Sequence, residues 1–438
     1  MDVREFIEWA RRSSTLAQVE RAVDPHLELA RVMFALDGQP VLFRKLVGHA
    51  NWRMLSGMCA QRETFAAALG CTVPALITRM TKALTHPQPP PLVDQGPCQV
   101  VVQAPDLTRL PIPRYHPDDG GPYITAGVTV VKDPDLGRNT SFHRLMLLDE
   151  RRFVARIVEG RGTHTALKKV ERDLPIAIVV GSPIQVLLAA AMSPSKGVDE
   201  LSIANALAST PLVRCQTVDL EVPAEAELIL EGRITDSLTD EGPFPDLTST
   251  MDGVRQQPVI EIHHITYRRD PIFHALLPSG MEHKNLMGMP REPTIFAAVN
   301  QVCHCRGAYI TPGGMSWLHA VVQIEKQDHE DGRRAIHAAF QGHTSLKHVV
   351  VVDTDVDIYD SAEVEWAIAT RFQADQDLVV LTDQPSSSLD PSASQAPGQK
   401  ARTAKMGLDA TAPLGPARRG YERVSYRPVD TADYDLRP

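Results

Sequence analysis

The sequence lacks any uninterrupted apolar run long enough to cross a bilayer. Its most apolar stretch, PIAIVVGSPIQVLLAAAM (175–192), is broken by Gly181, Ser182, Pro183 and Gln185. It reads as a buried strand followed by a helix, with Ser182 as the cap and Pro183 in the first turn, so no membrane partner is expected. The N-terminus, MDVREFIEWARRSS, alternates charged and apolar residues at helical spacing and has no apolar core of a secretory signal, which points to the cytoplasm. Cysteine is scarce and scattered, at 59, 71, 98, 215, 303 and 305, which excludes a disulfide framework. The CHC at 303–305 has no second Cys/His pair at finger spacing, so no thiolate zinc site is expected. No basic arm or arginine-rich face appears, and the net charge of −9 argues against a nucleic-acid partner. DTDVDIYD (353–360) fails as a calcium loop, because Ile358 stands where glycine is needed and Val364 where the closing glutamate should be. It reads as a solvated strand end. No internal repeat is visible.

A chain of 438 residues is too long for one ordinary core and predicts two or three domains. Residues 1–85 carry helical periods (REFIEWARR, TFAAALGCTVPALITRMTKAL) around one strand candidate, PVLFRKL. The proline-rich HPQPPPLVDQGP (86–97) predicts an extended connector, so the first domain is placed at 1–97. From 98 to 300 strand patterns dominate, with a helical insert near 167–210, as in a barrel or sandwich. Beyond 300, LHAVVQIEK, DGRRAIHAAFQGH, HVVVVDTD, SAEVEWAIATRF and DLVVLTD alternate strand and helix, predicting a layered α/β domain at 301–438 with a tail. Residues 384–400, rich in serine and proline, read as loop.

One segment poses a chemical question. DEGPFPDLTS (240–249) sets Glu241 and Asp246 five positions apart on a Gly-Pro-Phe-Pro turn that should be neither helix nor regular strand. Pro243 and Pro245 fix their own φ and restrict the residues before them, so the turn can hold two carboxylates rigidly. By itself such a segment reads as an acidic loop between strands. In company it says more. DGGPYITAG (119–127), GRNTSFHR (137–144), VPAEAELILEG (222–232), DEGPFPD (240–246), GMEHKNLMGMPRE (280–292), SSLDPSA (387–393) and KMGLDAT (405–411) together resemble, in order and spacing, the UbiD family of decarboxylases.

The resemblance implies a mixed α/β and β architecture: a small N-terminal α/β domain, a middle split β-barrel like that of flavin reductases, and a C-terminal α/β domain. It implies prenylated FMN as cofactor, supplied by a flavin prenyltransferase, and the reversible non-oxidative decarboxylation of an aromatic, heteroaromatic or other α,β-unsaturated acid. Asn139, His164 and Glu200 would hold a hard divalent ion, Mn²⁺ or Mg²⁺. The loop before His164 is two residues longer than in some relatives. Asn139, Ser141, Phe142, His143, Arg144, Thr163, His164 and Lys405 would line the flavin, with Lys405 at its phosphate. A potassium ion is implied near AAAMS (189–193). From residue types and spacing alone, Asn139 reads as a turn residue, His164 as a loop histidine, Glu200 as a solvated helix acid and Lys405 as an exposed loop lysine.

Arg144, Glu241 and Asp246 would form one network beside the flavin, which serves as electron sink while Asp246 returns a proton to the carbon that loses CO₂. Pro245 replaces a glycine common in relatives, and TSTMDG (248–253) replaces a common Thr-Gly-Tyr. The eight-residue interval from His283 to Arg291 predicts a helix that places them two turns apart, and the resemblance implies that this segment lies near the substrate. Arg291 would hold a second carboxylate or a phosphate, as on an anhydromevalonate-phosphate-like acid, or else pair with Glu292 or a neighbouring domain. A homodimer or higher homo-oligomer is the implied assembly. The competing reading is a flavin carrier without catalysis, which would need only the phosphate and metal contacts.

Overall fold

The computed structural model of the protein describes residues 1–394, 399, 401–424, 426, 429 and 430. The chain starts on the helix Val3–Arg12, whose Val3, Phe6, Ile7 and Ala10 form one buried stripe. Asp2 accepts hydrogen bonds from the Arg4 and Glu5 amides while Glu5 reaches back to the Asp2 amide, a reciprocal cap that contributes about 1 kcal/mol. The predicted strand PVLFRKL is Val41–Leu46, between Ala17–Val23 and Arg53–Ser56 in a four-stranded sheet. Ile272–His274 completes that sheet in parallel, and it delivers residues 275–292 to the edge of the middle region.

A nine-stranded antiparallel sheet forms the centre. Its order is Tyr123–Ile124, Leu145–Leu147, Arg152–Ala155, Arg255–Tyr267, Leu228–Glu241, Leu174–Val180, Val128–Asp133 and Gly137–Phe142, with Val101–Gln103 pairing on Arg255–Tyr267. The apolar run 174–180 is buried at six of its seven positions. The helix that follows, Ile184–Ala191, differs in detail from expectation. Pro183 itself is the cap residue, and Ser182 makes no cap bond because its hydroxyl is buried without a partner. The proline-rich connector is extended as expected, but Leu92–Val93 pairs with Leu212–Arg214 and so is pinned to the middle region.

The last part is layered α/β. A five-stranded sheet in the order His304–Ile310, His319–Glu325, His348–Asp353, Arg402–Ala410, Leu378–Pro385 carries helices on both faces. Val349 and Val351 pack toward the helices Glu292–Asn300 and Asp331–Gly342, whereas Val350 and Val352 pack toward Ser361–Arg371, as the two-residue strand period requires. DTDVDIYD is in part the solvated strand end expected, with Asp355, Asp357 and Asp360 exposed, but its first acid is not. Asp353 is buried and bonded to Arg371 Nη1 at 2.7 Å and Arg418 Nη1 at 3.1 Å, while Asp355 takes the other side of Arg371. The buried arginine needs both charges, which a local reading of the acids cannot foresee. Within the predicted loop 384–400, Gln384 and Pro385 end a strand, and 395–398 and 400 lie outside the described residues. Among the described residues no helix is long and apolar enough to cross a membrane.

Candidate active site

The ladder between Leu228–Glu241 and Arg255–Tyr267 ends with Glu241 opposite Arg255, and the acids collect in the chain between those two strands. Phe244–Pro245 pairs with Met251–Asp252. The segment expected to avoid regular structure is therefore a strand end followed by a short hairpin, with Pro245 at the end of its two-residue ladder and Pro243 outside it. Gly242 has φ 98°, and a Cβ there would lie 2.6 Å from the Gly253 carbonyl oxygen, so only glycine takes this corner.

Arg144 follows the strand Gly137–Phe142 and reaches into the hairpin. Its Nε and Nη2 donate to the two oxygens of Glu241 at 2.8 and 2.9 Å, and its Nη1 donates to Asp246 Oδ2 at 3.0 Å. A third carboxylate, Asp252, accepts from Nη2 at 2.8 Å and from Arg255 Nη1 at 2.6 Å. The Tyr123 hydroxyl donates to Glu241 Oε1 at 3.1 Å, and the Phe244 ring lies 5.0 Å from the guanidinium carbon. Burial would loosen the Arg144 proton, but the hydrogen bond and charge of Glu241, followed by Asp246 and Asp252, outweigh it and hold the proton more tightly than usual. The Glu241 side chain is 0% exposed and that of Asp246 21%, so of the two predicted acids Asp246 alone borders accessible space. The predicted Arg144–Glu241–Asp246 set is thus brought together.

His283 joins it from the helix Met281–Gly288. Burial pulls its imidazole below the usual value, with the charges of Asp246 and Arg144 acting on it in opposite senses. Its Nδ1 accepts from the Ser279 amide at 3.0 Å. Arg291 is not on the same helix: Met289–Arg291 is a 3₁₀ turn with Pro290 inside it, so the expected two-turn relation is broken. Arg291 does not pair with Glu292 either, because that carboxylate is buried against Arg62 and the Ile310 amide.

Asn139 and Glu200 also meet. Asn139 Nδ2 donates to Glu200 Oε1 at 3.1 Å, and the Thr140 amide donates to Oε2 at 2.8 Å. Burial pushes the Glu200 carboxyl up to about 7, against those hydrogen bonds, and Asn139 Oδ1 is buried with no partner among the described residues. An orphaned amide oxygen beside a carboxylate lacking a cation fits a hard divalent ion. The helix Gly162–Leu167 packs onto this pair so closely that a Cβ on Gly162 would lie 2.4 Å from Asn139 Oδ1. On that helix His164 contacts neither Asn139 nor Glu200 by a hydrogen bond; its Nδ1 accepts from the Gly160 amide at 3.1 Å. Thr163 Oγ1 lies 3.0 Å from His143 Nε2 and 3.3 Å from Ser141 Oγ, while Phe142, between Ser141 and His143 in the chain, packs partly buried against the hydrophobic core. His143 Nδ1 lies 2.9 Å from the Arg156 carbonyl oxygen, to which it donates, and burial holds the ring neutral, down to about 4.

Lys405 lies apart from these groups, on the C-terminal sheet. Its Nζ donates to the Thr344 carbonyl oxygen at 2.6 Å, and burial lowers it to about 8. It belongs with a set the sequence reading missed in part. Arg291 is pulled down to about 10 by burial and then by the charge of Arg161, and its Nε is buried without a partner. His343, driven down to about 3 by burial and then by Arg291, Lys405 and Arg161, leaves Nε2 buried without a partner. Trp317 stands between them, 5.5 Å from the Arg291 guanidinium carbon and 4.5 Å from the His343 ring. Arg291, Lys405 and Arg161 thus converge on the neutral His343 ring with no carboxylate bonded to them among the described residues. Arg161 stands in the loop before His164 and Asp252 in the quoted TSTMDG, but a lone charged residue in a loop carries no local signal of what it faces.

This architecture and its acid network define the class of protein. The chain matches the UbiD family in three successive parts: the 3-octaprenyl-4-hydroxybenzoate carboxy-lyase N-terminal domain over 7–84, the Rift-related domain over 92–281 and the C-terminal domain over 284–410. It belongs to that family and is a decarboxylase. Among its relatives, the anhydromevalonate phosphate decarboxylase of Methanothermobacter thermautotrophicus is 43% identical over 415 residues, 93% of this chain and 96% of the relative. That of Methanocaldococcus jannaschii is 41% identical over 408 residues, 92% and 95% of the two chains. The solved structure of the UbiD-class enzyme HmfF from Pelotomaculum thermopropionicum in complex with FMN superposes with a TM-score of 0.94 at 37% identity, covering 99% of this chain and 100% of that one. An evolved dimeric form of HmfF in complex with prFMN gives 0.89 at 35% identity, covering 99% and 98%.

Proposed function

We propose that the protein releases CO₂ from an α,β-unsaturated acid that also carries a phosphate, with prenylated FMN as cofactor. The observation that carries this reading is the pairing of two sites of opposite character. One is an acid network, Arg144 with Glu241 and Asp246, able to handle a proton. The other is a set of basic groups, Arg291 and Lys405 with the exposed Arg161, gathered around the neutral ring of His343 and with no carboxylate bonded to them among the described residues. Unpaired buried cations are costly, and a dianion restores the balance. The relatives named as anhydromevalonate phosphate decarboxylases support a phosphorylated acid over a simple aromatic one. The HmfF complexes with FMN and prFMN support the flavin.

In this reading Asn139 and Glu200, with His164 from the adjoining helix, hold a divalent ion, Mn²⁺ or Mg²⁺, at the flavin phosphate. Ser141, Phe142, His143 and Thr163 form the neighbouring wall. The potassium ion near 189–193, the split-barrel reading of the central sheet, the domain limits at 97 and 300, and assembly as a homo-oligomer belong to the same proposal. When bound, prenylated FMN supplies the electron sink for the carbon that loses CO₂. The chain's own work is then positional and protonic. Arg291 and its neighbours hold the remote anion, which fixes the acid end toward Asp246 and His283. Glu241 and Asp252 hold the Arg144 guanidinium, and Asp246 hands a proton to the carbon.

Protein coexpressed with a flavin prenyltransferase should release CO₂ from an unsaturated acid bearing a phosphate far faster than from its dephosphorylated form. Equal rates for the two would remove the phosphate from the reading. Absence of CO₂ from every unsaturated acid by flavin-loaded protein would remove the reading itself.

A further inference from the structure

The acid network has an odd charge count that the proposed chemistry can use. Glu241, Asp246 and Asp252 surround Arg144, and Arg255 bonds to Asp252, so three carboxylates face two guanidinium groups and the set carries one negative charge. The other titratable groups packed against it do not cancel this. Burial, then the charge of Glu241, holds the Tyr123 phenol protonated, and burial holds the His283 ring neutral. Glu282, on the helix beside His283, is occupied by His274 Nε2 at 2.9 Å and by the Gly57 and Cys59 amides, and Lys284 also acts on the His283 ring. Asp119, within electrostatic range of Tyr123, accepts from the Tyr115 and His116 amides near Arg114.

A substrate carboxylate that lodges against Asp246 therefore brings a negative charge to a site that is already negative. The repulsion is relieved if one carboxylate takes a proton as the acid binds. We infer that Asp252, locked between Arg144 and Arg255, keeps the network one charge negative so that binding of the substrate carboxylate draws in the proton that Asp246 later delivers. Asp252 is a positioning residue here, since it acts through Arg144 and Arg255. The balance closes on the reaction: RCO₂⁻ and one proton give RH and CO₂. The carbon–carbon bond breaks, its electron pair stays on the carbon, the carbon–hydrogen bond forms with the network's proton, and the network returns to its starting charge. Asp252 is suited to this because both of its guanidinium partners stay bonded while the proton moves elsewhere.

This inference rests on the decarboxylase reading, and its test separates the two. The probe is isovalerate, a saturated monocarboxylate with no double bond to react, titrated into flavin-loaded protein at constant ionic strength between pH 6.5 and 8.5. Uptake of a full proton makes Kd rise about tenfold per pH unit. The wild type should show that slope, Asp252→Asn should show almost none, and Asp252→Glu, which keeps the charge, should restore it, with flavin content equal in all three. A flat Kd in the wild type overturns the inference whether or not the variants fold, and so does a slope unchanged in Asp252→Asn. A wild type that binds no isovalerate at any pH also overturns the inference, which needs the carboxylate alone to lodge at the network, whereas the decarboxylase reading is tested separately by CO₂ release from a phosphorylated unsaturated acid.

Discussion

At the scale of single residues, the account turns on Arg144 being bonded to three carboxylates at once. Removing it leaves buried Glu241 with its charge uncompensated, which costs about 3–5 kcal/mol. Arg144→Ala should therefore lower the urea midpoint by an amount of that order as well as abolish turnover, whereas a purely surface arginine would do neither. Asp246 carries a different burden. Asp246→Asn keeps a hydrogen-bonding group of the same shape but cannot give a proton, so turnover should fall by about 10²–10⁴-fold with flavin content unchanged. Near-normal turnover in the loaded variant would reject the assignment. The Arg144–Glu241–Asp246 set was legible because motif resemblance spans the distance between residues 144 and 241. Asp252 was visible only as a departure from the usual pattern, since an aspartate in a polar loop looks the same whether it faces water or a guanidinium.

At the scale of elements, the hairpin 241–252 and the turn 289–291 matter most. Gly242 combines positive φ with a backbone oxygen 2.6 Å from where a Cβ would be. Gly242→Ala should cost more than about 1 kcal/mol and displace Glu241 and Asp246 together. Thermal unfolding and turnover should fall in parallel, and a variant with wild-type stability would contradict the tightness of the corner. The helix expected from His283 to Arg291 was half right: spacing predicts a helical period, but Pro290 converts its end to a 3₁₀ turn and sends Arg291 toward Trp317. That redirection gathers the cations. Inorganic phosphate should stabilise the protein, by about 2.7 kcal/mol at 100 times its Kd, and Arg291→Ala should lose most of that gain. A melting temperature equally raised in the variant would place the anion elsewhere.

At the scale of the whole molecule, three histidines are enclosed as neutral rings: His143 and His319 held down at about 4 and His343 at about 3, each chiefly by burial. The unfolded chain takes up protons on these side chains near pH 6.5, before the folded chain does, so stability is present above that pH and is lost as pH falls toward 4. The melting temperature should already drop between pH 6.5 and 5, where the three histidines together outweigh Glu200, whose carboxyl, raised to about 7, acts in the opposite sense, and replacing His319 by glutamine should flatten that part of the curve. The alternation of strand and helix after residue 300 was readable from periodicity alone. The pairing of Ile272–His274 with a sheet begun at residue 17 was not, because local patterns do not say which strand a strand will join. The same holds for Asn139 and Glu200, 61 positions apart and bonded at 3.1 Å, which only resemblance could join in advance.

The most direct test of the account measures CO₂ release and flavin content on the same samples, for wild type and Asp246→Asn, both made with a flavin prenyltransferase and given a phosphorylated α,β-unsaturated acid. The account predicts prenylated FMN in both and rapid CO₂ release from the wild type alone. Flavin-loaded wild type that releases no CO₂, or an Asp246→Asn variant that releases it at the wild-type rate, would contradict it.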